Sequence, residues 1–182
     1  MSNEVVVVVS GGDPPHPDAV LAVLRDAKVD VAVIEAGLGA RLDATRLADA
    51  RVSVLTDLAL EHTEILGDTL SAIAREKAAV ARANCPLVAA NTPDTLASRV
   101  IADVAREMSA SLVTIGSEID VVARAGDRFD LDLGGGRKLE SVELSLLGAH
   151  QGRNALLAAK AAALLVPDLG DQSIRIGLAN AF

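Results

Sequence analysis

The amino-acid sequence predicts an α/β protein with a doubly wound, mainly parallel sheet and a small antiparallel β insertion at about residues 119–147. The first observation is that short apolar runs such as EVVVVVS and VDVAVIEAG alternate with segments of helical period. Continuous apolar runs are typical of parallel strands whose two faces are both covered by helices. The second is that period-2 alternation replaces this pattern after residue 117. The third is the absence of Trp and Tyr, with only two Phe in 182 residues, so the core must consist of Ala, Val, Leu and Ile.

The predicted elements follow one another in a regular order. Strands are predicted over 4–10, 29–37, 51–57, 86–91 and 111–117, and helices over 17–27, 68–83, 92–108, 150–165 and 171–181. Pro17 suits a first helical position, and Asp68 is the predicted N-cap of its helix. Alternating residues around Gly134, Gly135 and Gly136 predict a hairpin or meander. Because no linker, repeat or low-complexity tract interrupts the chain, we predict a single domain over residues 1–182.

Composition argues against several classes of partner. The chain has 25 acidic and 17 basic residues and a net charge of −8, which opposes binding to nucleic acid or to an anionic membrane. A lone cysteine, Cys85, excludes an internal disulfide and points to the cytosol. No signal-like segment and no apolar run long enough to cross a bilayer is present. We therefore expect a cytoplasmic protein with neither nucleic-acid nor membrane partners.

Two polar residues follow predicted strands. Glu35 ends the strand VDVAVIEAG, and His62 follows the strand RVSVLTD, with Glu61 and Glu64 beside it. Ligands of open α/β sheets gather outside the carboxyl ends of the strands. Both residues are therefore expected at one edge of the sheet. The alternative is that Glu35 is a solvated strand end and that the histidine lies in a solvated charge cluster, and the residues alone leave both interpretations open.

Two further segments carry candidate site residues. Lys77 lies on the helix that follows His62, where most lysines are solvated cations. HQGRN opens the helix predicted over 150–165, and a helix N-terminus can hold an anion or a polar base edge. In the simpler interpretation His150 is a cap, and Gln151 and Asn154 are ordinary first-turn residues.

The segment SGGDPPHP after the first strand resembles a phosphate loop only in its glycines. A phosphate cradle needs consecutive backbone N–H donors and a lysine. Pro14, Pro15 and Pro17 lack that N–H, and Asp13 adds a negative charge. We interpret this segment as a turn rather than a nucleotide cradle.

Three segments together resemble a known family. VDVAVIEAGLGARLDATR (29–46), LEHTEILGDTLSAIAREKA (60–78) and LLGAHQGRNALLAAKAA (146–162) are similar to motifs of the folylpolyglutamate synthase and dihydrofolate synthase branch of the Mur ligase family. The family patterns are V-E-V-G-L-G-G-R-x-D-A-T-N, D-H-x-x-x-L-G-x-T-x-x-x-I-A-x-E-K-A and H-Q-x-x-N. The resemblance covers roughly residues 18–181, which correspond to the central ATPase domain of the family.

The resemblance implies an ADP-forming ligase of folate and one-carbon metabolism. Such enzymes transfer the γ-phosphate of ATP to a substrate carboxylate, and the amino group of glutamate then attacks the acyl phosphate. By position, Glu35 and His62 correspond to Mg²⁺ ligands, and Lys77 corresponds to the family's carbamylated lysine. His150, Gln151 and Asn154 match the stretch near the adenine. Magnesium prefers oxygen ligands, so the histidine ligand rests on the resemblance alone.

The chain also departs from the family pattern. The family's G-T-N-G-K-G-S type of phosphate loop is absent, Arg46 replaces the usual Asn, and Ala36 and Ala40 replace Val and Gly. The chain ends where family members continue into a C-terminal glutamate-binding domain. We therefore predict a domain truncated at both ends, with weak or no ATP binding, no ligase activity alone and an unmodified Lys77. Two alternatives stay open: a non-catalytic scaffold or binding module with this fold, and a metal-dependent hydrolase that uses Glu35 and His62.

Overall fold

The computed structural model describes residues 4–9, 26 and 29–181, and only the backbone of 4–9. The turn at 10–17 and the predicted helix over 17–27 lie outside the described residues, apart from Asp26. The chain divides into two compact units, Met1–Leu112 and Val113–Phe182. The single domain expected over the whole chain stays a prediction.

The first unit is built on a parallel sheet. Its strands are β1 (Glu4–Val9), β2 (Val31–Ala36), β3 (Ala50–Leu55) and β4 (Pro86–Ala89), with β5 (Ser111–Thr114) as the fifth strand. The order is β2-β1-β3-β4-β5, and β1 pairs in parallel with both β2 and β3, as β3 does with β4. The predicted α/β fold with a mainly parallel sheet is therefore confirmed.

Strand β2 differs from the sequence-based expectation of a strand buried on both faces. It lies at the edge of the sheet, and its residues alternate between exposed and buried. Val33 is 70% exposed, whereas Ile34 is buried. The buried side chains of β2 join a core that also includes Ala74, Ala78, Ala97 and Ile101. An apolar run cannot by itself distinguish an edge strand from a central one, because the tertiary structure decides whether a strand has neighbours on one side or on both.

Where the structure describes this unit, its α-helices with given bounds are α1 (Thr63–Leu66), α2 (Leu70–Ala78) and α3 (Thr95–Glu107), and a short 3₁₀ helix spans Ala44–Leu47. Helix α2 begins after Thr69, whose side chain accepts a hydrogen bond from the backbone N–H of Ala72 at 3.2 Å. The prediction of Asp68 as N-cap was therefore wrong by one residue. Helix α2 also ends earlier than the predicted residue 83. Its last helical residue is Ala78, and the carbonyl oxygen of the C-cap residue Ala79 accepts a hydrogen bond from the guanidinium group of Arg46.

The second unit contains the predicted antiparallel insertion. Its strands β6 (Asp120–Arg124), β7 (Arg128–Asp132) and β8 (Lys138–Glu143) form a three-stranded antiparallel sheet in that order. Helix α4 (Ala149–Leu165) packs on β6 and β7, and α5 (Asp171–Ala179) packs on β8. The turn between β7 and β8 begins at Gly134, which has φ of +75° and would place a Cβ 2.5 Å from the carbonyl oxygen of Glu118.

No helix of the described residues is long and apolar enough to cross a membrane.

Candidate functional site

Glu35 and the loop that leads to His62 leave the sheet at the same edge. Val8 of β1 is in register with both Glu35 of β2 and Val54 of β3. Glu35 and Val54 therefore lie at the same level, one residue before the ends of two parallel strands. This register agrees with the sequence-based expectation that both loops leave from the carboxyl edge.

The side chain of Glu35 lies on the exposed face of β2. It alternates with Ile34 and Ala36, which are buried in the core together with Ala74 and Ala78 of α2. Side chains of a strand point alternately to opposite faces of the sheet. The side chain of Glu35 therefore leaves the strand on the face of the sheet opposite to α2, the helix that carries Lys77.

Asp43 organises the loop that follows β2. One carboxylate oxygen accepts from the backbone N–H of Gly37 at 3.0 Å, and the other accepts from the backbone N–H of Thr45 at 2.8 Å. Burial by itself raises the pKa of this carboxyl, but hydrogen bonds from Thr45, Gly37 and Leu38 outweigh burial and hold the pKa below its ordinary value. Asp43 thus ties the first motif segment into one compact turn.

The same loop packs against α2. Arg41 Nε donates to both carboxylate oxygens of Glu76, at 2.8 and 3.1 Å, and the backbone N–H of Ala40 donates to the Glu76 carbonyl oxygen at 3.0 Å. Gly39, with φ of +61°, would place a Cβ 3.2 Å from a methyl group of Leu66. The first and second motif segments, which are far apart in the chain, are therefore in direct contact.

Arg46, which replaces the usual asparagine of the family pattern, has a structural contact. Its Nη1 donates to the carbonyl oxygen of Ala79 at 2.9 Å, just past the end of α2. Arg82 Nη2 donates back to the carbonyl oxygen of Thr45 at 3.3 Å. The two guanidinium groups join the end of α2 to the turn that precedes β3.

Lys77 is buried, with a relative exposure of 4%. Its ammonium group forms an ion pair with the carboxylate of Glu61, whose side chain is 38% exposed. A buried ammonium needs a charged partner because its removal from water is costly. Glu61 lies inside the second motif segment, at the position where the family pattern has an aspartate.

His62 is exposed and has an unusual backbone conformation. It precedes α1 with φ of 49° and ψ of 38°, in the left-handed region, and its side chain makes no capping hydrogen bond. Its carbonyl oxygen accepts from the backbone N–H groups of Ile65 and Leu66 at 2.9 and 2.8 Å. His62 therefore begins a short helical turn whose last residue, Leu66, is buried against the Gly39 loop.

The structure leaves the predicted magnesium ligands untested. In the part of the chain that the structure describes, no three His, Cys, Asp or Glu side chains are grouped closely enough to hold a metal ion. Lys77 is an ammonium paired with Glu61, and a cation repels a metal ion. Glu35 as an Mg²⁺ ligand, His62 as an Mg²⁺ ligand and a carbamylated Lys77 all stay predictions.

The HQGRN segment forms the first turn of α4 in the second unit. The N-cap position is occupied by Gly148 rather than by His150, whose ring lies over that glycine. The side-chain amide of Asn154 donates to the side-chain oxygen of Gln151 at 3.2 Å. Gln151 and Asn154 are among the residues that line a largely apolar cavity of about 140 Å³. Its other walls are Leu144, Leu146, Ala155, Ala158, Leu178 and Ala181.

Gly152 of the same segment is required by packing. A Cβ at this position would lie 2.4 Å from the ring of Phe129 on β7, closer than real contacts allow. The glycine therefore lets α4 approach the antiparallel sheet. Sequence reasoning did not single it out, because the phenylalanine that needs the space lies 23 residues earlier in the chain.

Comparison with known proteins establishes the family. The family model described as the Mur ligase middle domain matches residues 10–162. The chain belongs to the Mur ligase family. This match spans the carboxyl edge of the parallel sheet, the antiparallel insertion and most of α4.

Curated relatives of this chain include proteins named as folylpolyglutamate, dihydrofolate and dihydropteroate synthases. The chain is 39% identical over 165 residues to the probable bifunctional folylpolyglutamate synthase/dihydropteroate synthase of Haloferax volcanii, covering 85% of this chain and 19% of the relative. It is 37% identical over 163 residues to the dihydrofolate synthase/folylpolyglutamate synthase of Escherichia coli, covering 88% of this chain and 36% of the relative. The chain thus spans well under half the length of these relatives.

Solved Mur ligase structures share the fold. A glycine-to-serine mutant of L. casei FPGS has a TM-score of 0.80 at 32% identity, covering 88% of this chain and 41% of that chain. E. coli FolC in complex with ADP, without folate substrate, has a TM-score of 0.85 at 25% identity, covering 98% of this chain and 57% of that chain. The recognition of this family from its motif segments is therefore confirmed.

Proposed function

We propose that this chain is the middle domain of an ADP-forming carboxylate–amine ligase of the folylpolyglutamate and dihydrofolate synthase type. The observation that carries the proposal is that the first two motif segments of the family meet on α2 through the pair Arg41–Glu76, and that Glu61 and Lys77 of the second segment pair with each other. The relatives named for this activity match most of the chain at 37–39% identity. The proposed substrates are ATP, a folate-type carboxylic acid and glutamate.

The proposed nucleotide contact is the apolar cavity at the start of α4. A purine base is flat and apolar on its faces and has hydrogen-bond donors and acceptors on its edge. The cavity is lined mostly by apolar side chains, with Gln151 and Asn154, whose amides bond to each other, among its lining residues. An amide has both a donor and an acceptor, so either side chain can exchange its mutual hydrogen bond for one to the base edge.

The proposed domain is not sufficient for catalysis alone. Transfer of a phosphoryl group needs fixed cations and N–H donors around the transferred phosphate. Asp13 and the prolines of SGGDPPHP do not supply them. We propose that a phosphate-loop segment and a C-terminal domain, as partners or as parts of a longer chain, complete the site. The cytoplasmic location inferred from Cys85 stays part of this proposal.

Titration of the ¹⁵N-labelled chain with adenosine, and separately with Mg-ATP, tests the nucleotide contact. We expect adenosine at millimolar concentration to shift the NMR signals of Gln151 and Asn154, and Asn154→Leu to abolish the shifts. Gln172→Leu is the matched control, because Gln172 lies in the same unit but outside this cavity. Shifts spread over the surface, or none, would count against the proposal and favour a scaffold without nucleotide chemistry. Metal-dependent phosphatase activity without a second substrate would favour the hydrolase alternative.

A further inference from the structure

An open cavity of about 270 Å³ lies between the antiparallel sheet and α5 of the second unit. Its basic lining residues in the described part of the chain are Arg128 at the start of β7 and Arg175 on α5, and its polar ones include Ser141 and Gln172. Among the described residues, none lines both this cavity and the apolar cavity at the start of α4. The second unit therefore has a separate polar cavity with two guanidinium groups, in a chain whose net charge is −8.

The two guanidinium groups are held by successive carbonyl groups of β8. Arg128 Nη1 donates to the carbonyl oxygen of Ser141 at 3.0 Å, and Arg175 Nη1 donates to the carbonyl oxygen of Glu140 at 2.9 Å. Because neighbouring residues of one strand supply both acceptors, the guanidinium groups are fixed close to each other. Like charges repel at short range, so this arrangement favours an anion between them.

Ser141 has a backbone conformation that is costly for a residue with a side chain. Its φ is +53°, in the left-handed region, and its backbone N–H donates to Asp130 Oδ1 at 2.8 Å. The pairing of β7 with β8 is irregular next to Asp130, between Phe129 and Leu131. Bulges and strained residues are common beside functional sites, where they turn a residue towards a ligand. Here the bulge places Ser141 in the wall of the cavity, with its carbonyl oxygen bonded to Arg128.

The two arginines differ in their other partners. Arg128 Nη2 also donates to Glu143 Oε2 at 3.0 Å, in an ion pair whose side chains are 44% and 68% exposed. Exposed ion pairs contribute little stability, so an incoming anion can displace the Glu143 carboxylate. Among the described residues, the partner of Arg175 is a carbonyl group and not a carboxylate. Arg175 therefore keeps N–H donors for an anion.

We propose that this cavity binds a small oxyanion, a phosphate or carboxylate group, between Arg128 and Arg175. A guanidinium group has five N–H donors in a planar fork that matches two oxygens of such a group. Glu143 acts as an internal competitor, because its carboxylate occupies Arg128 until the oxyanion displaces it. The proposal does not depend on the proposed function, since it uses neither a motif segment nor a nucleotide contact.

NMR titration of the ¹⁵N-labelled full chain with sodium phosphate, and separately with sodium glutarate, tests the site at constant ionic strength. We expect saturable shifts of Ser141, Gln172 and the Arg175 Nε–H signal with at least one of these anions. Phosphate as the stronger ligand identifies a phosphate-type site, and glutarate as the stronger ligand identifies a carboxylate-type site. Shifts no more localised than those caused by sodium chloride would overturn the proposal.

Arg175→Gln should weaken binding of the preferred anion roughly tenfold or more, because it removes a charged pair of donors. Lys138→Gln is the matched control, since it removes the same charge from β8 while Lys138 pairs with Asp132 and does not line the cavity. Charges outside the cavity are screened by salt, so the control should change the affinity by less than about twofold. Equal losses in the two variants would mean non-specific attraction and would contradict the site.

Glu143→Gln keeps the inference testable even if Arg175→Gln fails to fold. It removes the competing carboxylate from an exposed position, so binding should tighten by roughly threefold or more. An unchanged or weaker affinity would show that Glu143 does not compete for Arg128, and the proposal would be wrong. Phosphate and glutarate contain no adenine, so a failure here leaves the adenosine test at α4 unaffected.

Discussion

Lys77 and Glu61, sixteen residues apart in the chain, form an ion pair in which the lysine is buried and the carboxylate is partly exposed. The pair joins α2 to the loop that follows β3. In this pair the charge of the buried ammonium is balanced by the Glu61 carboxylate, so either group must break the pair before it can contact another partner.

Removing the carboxylate of this pair should destabilise the protein. A buried charge left without its partner costs about 3–5 kcal/mol, and the partial exposure of Glu61 reduces this to roughly 1–3 kcal/mol. We expect Glu61→Gln to lower the free energy of unfolding by that amount in urea titrations. The control Glu64→Gln alters an exposed acid and should change it by less than about 0.5 kcal/mol. Equal losses in the two variants would contradict a specific role for Glu61.

Lys77 should be unmodified. Carbamylation forms a bond between Nζ and the carbon of carbon dioxide, and it requires the amine in its neutral form. Its Nζ is held in an ion pair with the Glu61 carboxylate, and that pair would have to break before Nζ could bind carbon dioxide. We expect no carbamate signal from Lys77 in ¹³C-bicarbonate NMR, with Lys77→Arg used to assign any signal that does arise. Crystals grown with manganese should likewise lack an anomalous peak coordinated by Glu35, His62 and a modified Lys77, and such a peak would refute this prediction.

The isolated chain should bind Mg-ATP weakly or not at all. Most of the affinity for a nucleotide triphosphate comes from groups around the phosphates, and SGGDPPHP has Asp13 and prolines where donors are needed. Calorimetry with Mg-ATP is the measurement, and low-micromolar affinity would show the prediction to be wrong. Ligase turnover with dihydropteroate or a reduced folate, glutamate and ATP should be undetectable, measured as ADP release.

Gly152→Ala should be destabilising in spite of the higher helix propensity of alanine. The new Cβ would lie 2.4 Å from the Phe129 ring, so α4 or the ring must move, at a cost of about 1–3 kcal/mol. Gly177→Ala on α5 is the matched control, because nothing lies within 4 Å of its Cβ. That variant should gain roughly 0.5–1 kcal/mol. Unfolding midpoints in urea measure both changes, and Phe129→Leu should partly rescue Gly152→Ala.

The Asp43 turn should contribute stability that depends on pH. The pKa of Asp43 is lowered by folding, so its contribution is present above the unfolded carboxyl value of about 3.9 and is lost as the pH falls through the lower folded value. We expect Asp43→Asn to reduce the free energy of unfolding at pH 7, with the difference from the unaltered chain shrinking below about pH 4. Asp168→Asn, at an exposed position, is the control. A difference that stays constant down to pH 2 would rule out this linkage.

The sequence by itself determined the fold class and the family. Alternation of apolar strands with helices is a local property of the chain, so it predicted the parallel sheet, and the change to period 2 predicted the antiparallel strands β6 to β8. The motif segments predicted the family for the same reason, because residue types and their spacing are visible in the chain alone. The N-cap of α2 was placed one residue early, since Asp68 and Thr69 are both good capping residues.

Tertiary structure decided which residues meet. The edge position of β2, the contact of Gly152 with Phe129 and the partner of Lys77 each depend on elements that are distant in the chain. The acids within sixteen residues of Lys77 are Glu61, Glu64, Asp68 and Glu76, and spacing alone does not choose among them. In the folded protein Glu76 pairs with Arg41, Glu64 and Asp68 are exposed, and the buried ammonium is paired with Glu61. Burial of Lys77 explains this pairing, because an ammonium group removed from water needs a carboxylate beside it and the fold places Glu61 there.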